Sequence, residues 1–473
     1  MSLLRKILGA AILLLSDIFS LLLIVILAIT IRDFLSVIFP KLPDLIIDIN
    51  HAWWFFPAWL AILIYEGAYT KKFSFWEEVR MLWKVTLFST LTLLAIFFLG
   101  KIGDIISRTV IVLIGLLSLI TFPLLRTAVK RFLFRLGIGV NKALIIGANG
   151  TGRLALNALK KEKNLGYRVV GFVDEPAKTD ASFIDGIRLH GHLQHVERYI
   201  KHCDIQDVVI ALPELDKEQL AGLVNRLQHK ATNILFFPGF SGMAVMGTEL
   251  RHFFQEQIFA LEIKNNLAQP LNYYAKRTFD YFLGLILFIL LIIPMIMIAL
   301  LIKLTSAGPA ILKQKRIGKS GKYFTCYKFR TMYKDADERL ENILAEDNDA
   351  KEEWHNHWKL KNDPRVTLLG NFLRQTSLDE LPQIINILKG DMSLVGPRPY
   401  IEREWQWLKD YSETIHSVPP GITGLWQVSG RSDSSYRQRL ELDSWYVRNW
   451  NLWLDIIIII KTIFVVLKKE GAR

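Results

Sequence analysis

Cysteine is nearly absent from this chain, with two residues, Cys203 and Cys326, among 473. Two distant cysteines form neither a disulfide framework nor the paired spacing of a zinc site, which agrees with a reducing compartment. The sequence also lacks a nucleic-acid-binding motif, so we do not assign its net charge of +13 to binding of nucleic acid. We expect the excess cations to contact anionic membrane lipid and an anionic substrate instead.

Hydrophobic residues make up 51% of the chain, which is high for a soluble enzyme. Four apolar segments fall within the first 130 residues, at Ile7–Ile31, Ala52–Tyr65, Val85–Leu99 and Ile105–Leu125. The second and third are shorter than the roughly 20 residues of a membrane span, so flanking tryptophans must extend them. Lysine and arginine cluster before the first segment, between the second and third, and after the fourth. This pattern predicts a four-helix transmembrane bundle over 1–135 with both ends in the cytoplasm.

Residues 136–265 alternate between short apolar strands and helical stretches, which is typical of a parallel α/β sheet of Rossmann type. The first strand leads into a glycine-rich turn, GANGTG, whose glycines are Gly147, Gly150 and Gly152. Such a turn can seat a phosphate at a helix N-terminus, and Asp174 follows where a ribose-binding acid would stand. The spacing is GxxGxG rather than GxGxxG, so a structural or regulatory domain and a nucleotide-binding domain both stay open.

A fifth apolar stretch, Phe279–Leu304, has the length of a membrane span but is flanked by basic residues on both sides. Its middle contains Pro294, which removes a helical hydrogen bond and clashes with the preceding turn. We therefore predict a re-entrant helix over 277–304 that breaks at Pro294 and leaves the membrane by the face where it began. A spanning helix is the alternative. The last apolar run, Trp453–Leu467, contains a lysine and is predicted to lie at the membrane interface.

The most informative motif is SLDELPQ, in which two carboxylates, Asp379 and Glu380, are adjacent. Considered alone, the motif is typical of a helix N-terminal turn capped by Ser377. Five cations recur in short motifs on either side of the pair, and these are Lys328, Arg330, Arg374, Arg398 and Arg431. Cations of this kind can hold a pyrophosphate while a carboxylate attacks it and a divalent metal is bound beside it. We therefore favour a site for phosphate chemistry at a membrane surface.

The chain from about residue 273 to its end resembles the bacterial sugar transferase family, the monotopic polyprenyl-phosphate phosphoglycosyl transferases. The matching motifs occur in the same order, and they are KRTFDY, YKFRTM, SLDELPQ, KGDMSLVGPRP and PGITGLWQVSGR. A helix bundle followed by a Rossmann-like domain is similar to the long form of the family, including members that transfer galactose 1-phosphate to begin O-antigen or capsule synthesis. One departure is Ile293, where relatives often have a small hydroxyl residue before the proline. The resemblance implies a mainly α catalytic domain over 266–473.

The resemblance also implies a two-step reaction at the cytoplasmic face of the bacterial inner membrane. Asp379 would attack a UDP-sugar and release UMP, and undecaprenyl phosphate would then accept the sugar phosphate. Glu380 would hold Mg²⁺ beside the diphosphate. The implied phosphate pocket comprises Lys328, Arg374, Arg398 and Arg431. The long form further implies a homodimer.

Two alternatives stay open. The first is the same reaction with UDP-glucose or a UDP-acetamido sugar, because these motifs bind phosphate and lipid rather than sugar hydroxyls. The second is a nucleotide-sensing regulatory membrane protein of polysaccharide export. The intact acidic pair and its cations argue against an inactive C-terminal part.

Overall fold

The computed structural model describes residues 2–40, 55–99, 107–174, 183–239, 248–253, 258–262, 266–347, 351–352, 354, 360, 363–408, 410–429 and 435–468. The chain divides into two compact units, Met1–Ser241 and Gly242–Arg473. The first unit contains both the predicted helix bundle and most of the predicted α/β domain. The second contains the SLDELPQ motif and the other motifs of the predicted site.

The first unit begins with four apolar helices, which are α1 (Ser2–Ile38), α2 (Phe55–Tyr65), α3 (Phe75–Leu99) and α4 (Arg108–Arg135). Most of α1, and all of α3 and α4, are long and apolar enough to cross a membrane. Helix α2 has 11 residues in the described part of the chain, fewer than a crossing needs. Two tryptophans predicted to extend it, Trp53 and Trp54, lie outside the described residues. The helices identify a membrane protein.

Buried charges connect three of these helices. Arg126 of α4 contacts the carboxylates of Asp17 in α1 and Glu78 in α3, and all three residues are at most 3% exposed. Lys130 Nζ lies 2.6 Å from Glu78 Oε1, so two acids and two bases compensate one another away from water. Removing one partner would leave a buried charge unpaired, so the network fixes how the three helices pack.

The α/β part of the first unit is a six-stranded sheet. Its strands are β1 (Asn141–Ile146), β2 (Tyr167–Val173), β3 (Phe183–Ile184), β4 (Ile187–His190), β5 (Asp207–Ile210) and β6 (Asn233–Phe236). Their order is β3-β4-β2-β1-β5-β6, and every neighbouring pair is parallel except β3 and β4. The intervening helices are α5 (Gly150–Lys161), α6 (Val196–His202) and α7 (Lys217–Leu227). The Rossmann-like prediction is confirmed, although the antiparallel edge strand β3 is too short to give a sequence pattern.

The glycine-rich turn between β1 and α5 is closed by side chains of its own domain. Asn149 Oδ1 accepts a hydrogen bond from Gly152 N at 3.1 Å and so caps α5. Asp174 Oδ2 accepts a hydrogen bond from Ala148 N at 2.7 Å and is 4% exposed. The acid predicted to contact a ribose therefore holds the turn in place.

Polar contacts join the α/β part to the bundle. Asn164 Nδ2, in the turn after α5, donates to Glu78 Oε2 at 2.6 Å and to Phe73 O at 3.2 Å. Lys72 Nζ, from the connection between α2 and α3, lies 3.9 Å from the centre of the Tyr167 ring and 3.7 Å from Asp207 Oδ2. The sheet is thus attached to the loop and helix start that contain the buried bundle charges.

The second unit is mainly helical with short two-stranded sheets. Its helices are α8 (Pro270–Thr305), α9 (Ala336–Glu346), α10 (Leu368–Gln375), α11 (Gln383–Lys389), α12 (Trp405–Leu408), α13 (Ser412–His416), α14 (Leu425–Ser429), α15 (Tyr436–Arg448) and α16 (Leu452–Lys468). Its strands are β7 (Glu249–Phe253), β8 (Ile258–Glu262), β9 (Ile311–Ile317), β10 (Tyr323–Phe329), β11 (Ser393–Val395) and β12 (Gly421–Thr423). The pairs β7–β8 and β9–β10 are antiparallel, and β11–β12 is parallel.

Helix α8 is the most apolar membrane-length helix, and it packs against its unit mainly near its two ends. Its buried residues are Lys276, Asp280, Gly284 and Ile302. Ile293 in its middle is 68% exposed. Pro294 lies inside one continuous helix, so the predicted break is not seen. A proline costs one intrahelical hydrogen bond, and a helix can bend without ending there.

We expect Gly152→Ala to destabilise the α/β part and Gly150→Ala to be tolerated. A β-carbon on Gly152 would lie 2.0 Å from Gly147 O, whereas one on Gly150 would meet nothing within 4 Å. The first change should cost about 2 kcal/mol or more, because backbone rather than a flexible side chain must move. Thermal unfolding of the detergent-solubilised chain measures both variants. Equal melting temperatures of the two variants would contradict the close packing of Gly152 against the Gly147 carbonyl.

Candidate active site

Two cations of the β9–β10 hairpin lie on the same face. Lys328 pairs with Leu312, Cys326 with Gln314, and Phe324 with Arg316. Directly paired residues of an antiparallel sheet lie on the same side, and alternate residues share that side. Lys328 and Arg316 therefore stand on one face of the hairpin.

Helix α11 is attached to the edge of β10 by one buried side chain. Asn386 Nδ2 donates to Thr325 O at 2.7 Å, and Asn386 Oδ1 accepts from Tyr327 N at 3.1 Å. Asn386 is fully buried, and its side chain satisfies one backbone donor and one backbone acceptor of β10. This attachment places the start of α11 beside Lys328.

The acidic pair lies in a 3₁₀ turn, Leu378–Glu380, directly before α11. The preceding Ser377 has φ of 54° and makes no side-chain cap, so the predicted capping role is wrong. A left-handed serine is uncommon and costs conformational energy, and such strain concentrates at functional sites. The turn presents both acids ahead of the helix rather than along its side.

Lys328 Nζ lies 2.6 Å from Glu380 Oε1, and both side chains are partly exposed. Burial and the neighbouring Glu380 charge raise the pKa of Asp379 to about 6, against the lowering effect of Lys328 and Arg374. Like charges disfavour joint ionisation, and opposite charges favour it. The charges of four residues therefore act on one another, and these residues are Lys328, Glu380, Asp379 and Arg374.

Arg374 lies in the last turn of α10, and its side chain is oriented by a residue that follows strand β10. Its Nε donates to Thr331 Oγ1 at 2.9 Å, and Thr331 follows the YKFR sequence of β10. Gly370 of the same helix packs so closely on Thr331 that a β-carbon would lie 2.0 Å from the Thr331 carbonyl oxygen. The glycine permits α10 to bring Arg374 next to the acidic pair.

The GPRP sequence forms a loop directly after β11. Gly396 N donates to Thr423 O at 2.9 Å, and Gly421 N donates to Pro397 O at 2.8 Å. These bonds hold the GPRP loop against the start of PGITGLWQ. Arg398, in the middle of the loop, is partly exposed, and its Nη2 lies 3.9 Å from Glu404 Oε1.

A buried ionic network supports β11 from the other side. Lys276 Nζ donates to Val395 O at 3.0 Å and to Asp455 Oδ2 at 2.7 Å. Tyr446 Oη lies 2.7 Å from Asp455 Oδ1, and Leu394 N donates to Asp280 Oδ1 at 3.1 Å. The KRTFDY sequence at the start of α8 thus positions the strand that leads into the loop. Lys276 is 3% exposed, so it is a packing residue rather than a basic flank of the membrane helix.

Three predicted site elements are not among the residues that the structure groups with the acidic pair. Arg330 is 8% exposed and donates through Nη2 to Ser306 O at 2.9 Å and to Ser306 Oγ at 2.8 Å, at the end of α8. Arg431 lies outside the described residues. The glycine-rich turn with Asp174 belongs to the first unit. The structure groups Lys328, Arg374 and the acidic pair, with Arg398 on the adjoining loop.

Sequence reasoning missed the role of Arg316 in this region, and it left Asp443 open between a ligand-binding or supporting acid and a structural salt bridge. Arg316 Nη1 donates to Pro399 O at 3.2 Å, and burial together with the Arg398 charge lowers the pKa of Arg316. Asp443 is fully buried beneath the GPRP loop, and burial raises its pKa to about 7. Alternation in KQKR could have indicated that Arg316 shares the face of Lys328. Asp363 forms a two-bond ion pair with Arg365.

The donor set of the acidic pair suits a hard cation shared with a phosphate. Mg²⁺ is usually bound by one or two carboxylates together with phosphate oxygens and water. Asp379 and Glu380 are close enough to repel each other's charge, which a divalent ion would compensate. Among the described residues there is no group of three or more histidine, cysteine, aspartate or glutamate side chains for an all-protein site.

Comparison with known proteins gives two family matches. Residues 271–469 match the bacterial sugar transferase model, and residues 64–238 match a CoA-binding domain model. The undecaprenyl-phosphate galactose phosphotransferase of Salmonella typhimurium is 38% identical over 85% of this chain and 84% of its own length. The UDP-glucose:undecaprenyl-phosphate glucose-1-phosphate transferase of Escherichia coli is 32% identical over 69% and 68%. The exopolysaccharide production protein ExoY of Rhizobium meliloti is 42% identical over 45% of this chain and 95% of its own length.

Proposed function

The chain belongs to the bacterial sugar transferase family, and from that membership we propose that it transfers a hexose 1-phosphate from a UDP-sugar to undecaprenyl phosphate. UMP is the second product, and galactose is the favoured sugar because of the Salmonella relative. The reaction is the initiating step of O-antigen, capsule or exopolysaccharide synthesis. The observation that carries the proposal is the adjacent acids Asp379 and Glu380 with Lys328 Nζ 2.6 Å from Glu380.

Asp379 is assigned as the nucleophile. In the first step a carboxylate oxygen forms a bond to the β-phosphorus of the UDP-sugar. The bond from that phosphorus to the bridging oxygen breaks, and UMP leaves with the oxygen and its electron pair. In the second step a phosphate oxygen of undecaprenyl phosphate attacks the same phosphorus, the bond to Asp379 breaks, and the carboxylate is restored.

The surrounding cations support this assignment. Lys328 and Arg374 act on the charge of Asp379, and Arg398 lies on the adjoining GPRP loop. A covalent step lets a water-soluble donor and a lipid acceptor use one phosphate site in turn. Glu380 would hold Mg²⁺, which would neutralise diphosphate charge when bound.

We assign the second unit to the cytoplasmic face of the inner membrane, where UDP-sugars are available, with α8 re-entrant. Support comes from burial at the two ends of α8 against one unit, with an exposed apolar middle that includes Ile289 and Ile293. Positive-inside loops of the bundle agree with this orientation.

We assign the first unit to assembly, including a homodimer, rather than to the chemistry. The ExoY alignment of 214 residues nearly spans that protein, and this length is close to that of the sugar transferase match at 271–469. The proposed catalytic groups likewise all follow Lys276.

The donor sugar is tested by a UMP-release assay over a panel of UDP-sugars with undecaprenyl phosphate and Mg²⁺. UDP-galactose should give the highest kcat/KM, and the lipid product should contain galactose phosphate. Preference for UDP-glucose or a UDP-acetamido sugar would replace the sugar while keeping the reaction. Absence of UMP release with every donor would overturn the proposed function.

The nucleophile is tested by intact-protein mass spectrometry. Wild type incubated with UDP-galactose and no acceptor should gain the mass of one hexose phosphate, and Asp379→Asn should gain none while melting like wild type. Glu380→Gln should lose most turnover, because its carboxylate no longer assists metal and phosphate binding. Adduct formation by Asp379→Asn would exclude Asp379 as the attacking group.

The pH dependence of donor kcat/KM should show an acid limb near pH 6. Asp379 attacks as the carboxylate, and its pKa of about 6 lies above its usual 3.8, so activity falls about tenfold per unit below pH 6. Asp443→Asn serves as the control, because Asp443 has a pKa of about 7. If the acid limb of the pH profile disappears in Asp443→Asn, the group that titrates is Asp443 rather than Asp379.

The re-entrant proposal is tested by cysteine labelling in intact cells. Leu271→Cys and Lys313→Cys, introduced with Cys203→Ser and with the buried Cys326 retained, lie at exposed positions before and after the apolar part of α8. Both should react with a membrane-impermeant maleimide only after the inner membrane is opened. Labelling of Lys313→Cys alone from outside would make α8 a spanning helix.

A further inference from the structure

The end of the GPRP loop and the two residues that follow it are each held by a different group. Pro399 O accepts from Arg316 Nη1 at 3.2 Å, and Tyr400 O accepts from Ile317 N at 2.9 Å. Ile401 N donates to Glu404 Oε2 at 2.9 Å. Arg398 lies in the middle of the loop. Its backbone N–H is bound by a further group.

That anchor is Asp443 of α15. Its Oδ2 accepts from Arg398 N at 3.1 Å and from Tyr400 Oη at 2.8 Å, while the residue has no solvent exposure. Its Oδ1 is buried and has no hydrogen-bond partner among the residues that the structure describes. Two donors from one loop therefore meet on one oxygen of one carboxylate.

A carboxyl in this position is costly to the fold. A buried carboxylate with an unpaired oxygen pays a desolvation penalty that two hydrogen bonds offset incompletely, and its pKa of about 7 reflects that penalty. An apolar residue of the same size would avoid the penalty but would leave Arg398 N and Tyr400 Oη unpaired. The carboxyl is thus suited to fixing the loop rather than to increasing stability.

We propose that Asp443 is a positioning residue that sets the location of Arg398 by anchoring the backbone of the GPRP loop. This inference rests on the proposed function, in which Arg398 binds phosphate of the donor. Asp443 does not touch the substrate and acts through Arg398.

Among the described residues, the charged and titratable groups around this anchor include Arg398, Tyr400, Glu404, Tyr436, Arg439 and Tyr446. Arg398 is the cation among them whose charge acts on Asp443. Glu404 contacts the loop at Ile401 N rather than at Arg398 N. Its anchoring bond is therefore separate from that of Asp443.

The first test is hydrogen–deuterium exchange of the loop in the full-length protein. Asp443→Leu removes both acceptor contacts and should speed exchange of the Arg398 amide about tenfold or more. Asp443→Asn keeps a carbonyl acceptor for both donors and should restore slow exchange. Glu441→Gln, an exposed carboxylate on the same helix, is the matched control and should exchange like wild type.

If Asp443→Leu does not fold, Tyr400→Phe takes its place. This variant removes one of the two donors to Asp443 and should give an intermediate rate of exchange. Wild-type exchange in Asp443→Leu, or in Tyr400→Phe where the leucine variant does not fold, would overturn the anchoring role. These measurements need no substrate, so they hold whether or not the proposed reaction is correct.

The second test is a double-mutant cycle on donor kinetics. Asp443→Leu should raise the KM for UDP-galactose about tenfold with kcat changed less than about threefold, and Asp443→Asn should stay near wild type. In an Arg398→Ala background the leucine change should have little further effect, because its action passes through Arg398. Additive effects would assign Asp443 a general structural role and overturn the inference. Loss of UMP release by wild type would instead overturn the proposed function.

Discussion

The buried contact between Lys276, Asp455 and the Val395 carbonyl is the constraint on which the second unit depends. It joins the first turns of the membrane helix α8, the C-terminal helix α16 and the strand β11 that leads into the GPRP loop. Because each group is buried, removing one would leave its partners with unpaired polar atoms in a low dielectric. The membrane helix and the GPRP loop are therefore held in one fixed geometry.

The site itself balances like and unlike charges. Burial and repulsion by the adjacent Glu380 raise the pKa of Asp379 above its usual range, and Lys328 and Arg374 limit that rise. A left-handed Ser377 and the fixed position of α11 hold the acids where the cations can act on them. Strain and repulsion of this kind would suit the proposed nucleophile, because a bound diphosphate and the proposed metal would alter the balance of charge.

In the first unit, too, buried charges are compensated by charges of opposite sign. Charges in its helices are paired with one another, and Glu78 extends the pairing to Asn164 of the α/β part. The glycine-rich turn is closed by Asn149 and Asp174. Its glycines are explained by close backbone packing. The nucleotide-like pattern in the sequence is explained by the turn alone, and nucleotide binding there stays a prediction.

The sequence by itself determined the apolar helices, the Rossmann-like sheet and the family, because periodicity, hydrophobic length and consecutive motifs are local properties of the chain. It also indicated Asp379, Glu380, Lys328 and Arg374, which lie in recognisable short motifs. Tertiary structure alone decided which cations meet the acidic pair, since Arg330 binds Ser306 instead. It also decided that Lys276, a basic flank in the sequence, enters a buried ion pair. It likewise decided the roles of Arg316 and Asp443, whose partners are distant in sequence and are brought close by strand register and helix packing. Hydrogen bonds between residues far apart along the chain have no local signature, because the intervening fold determines which groups meet.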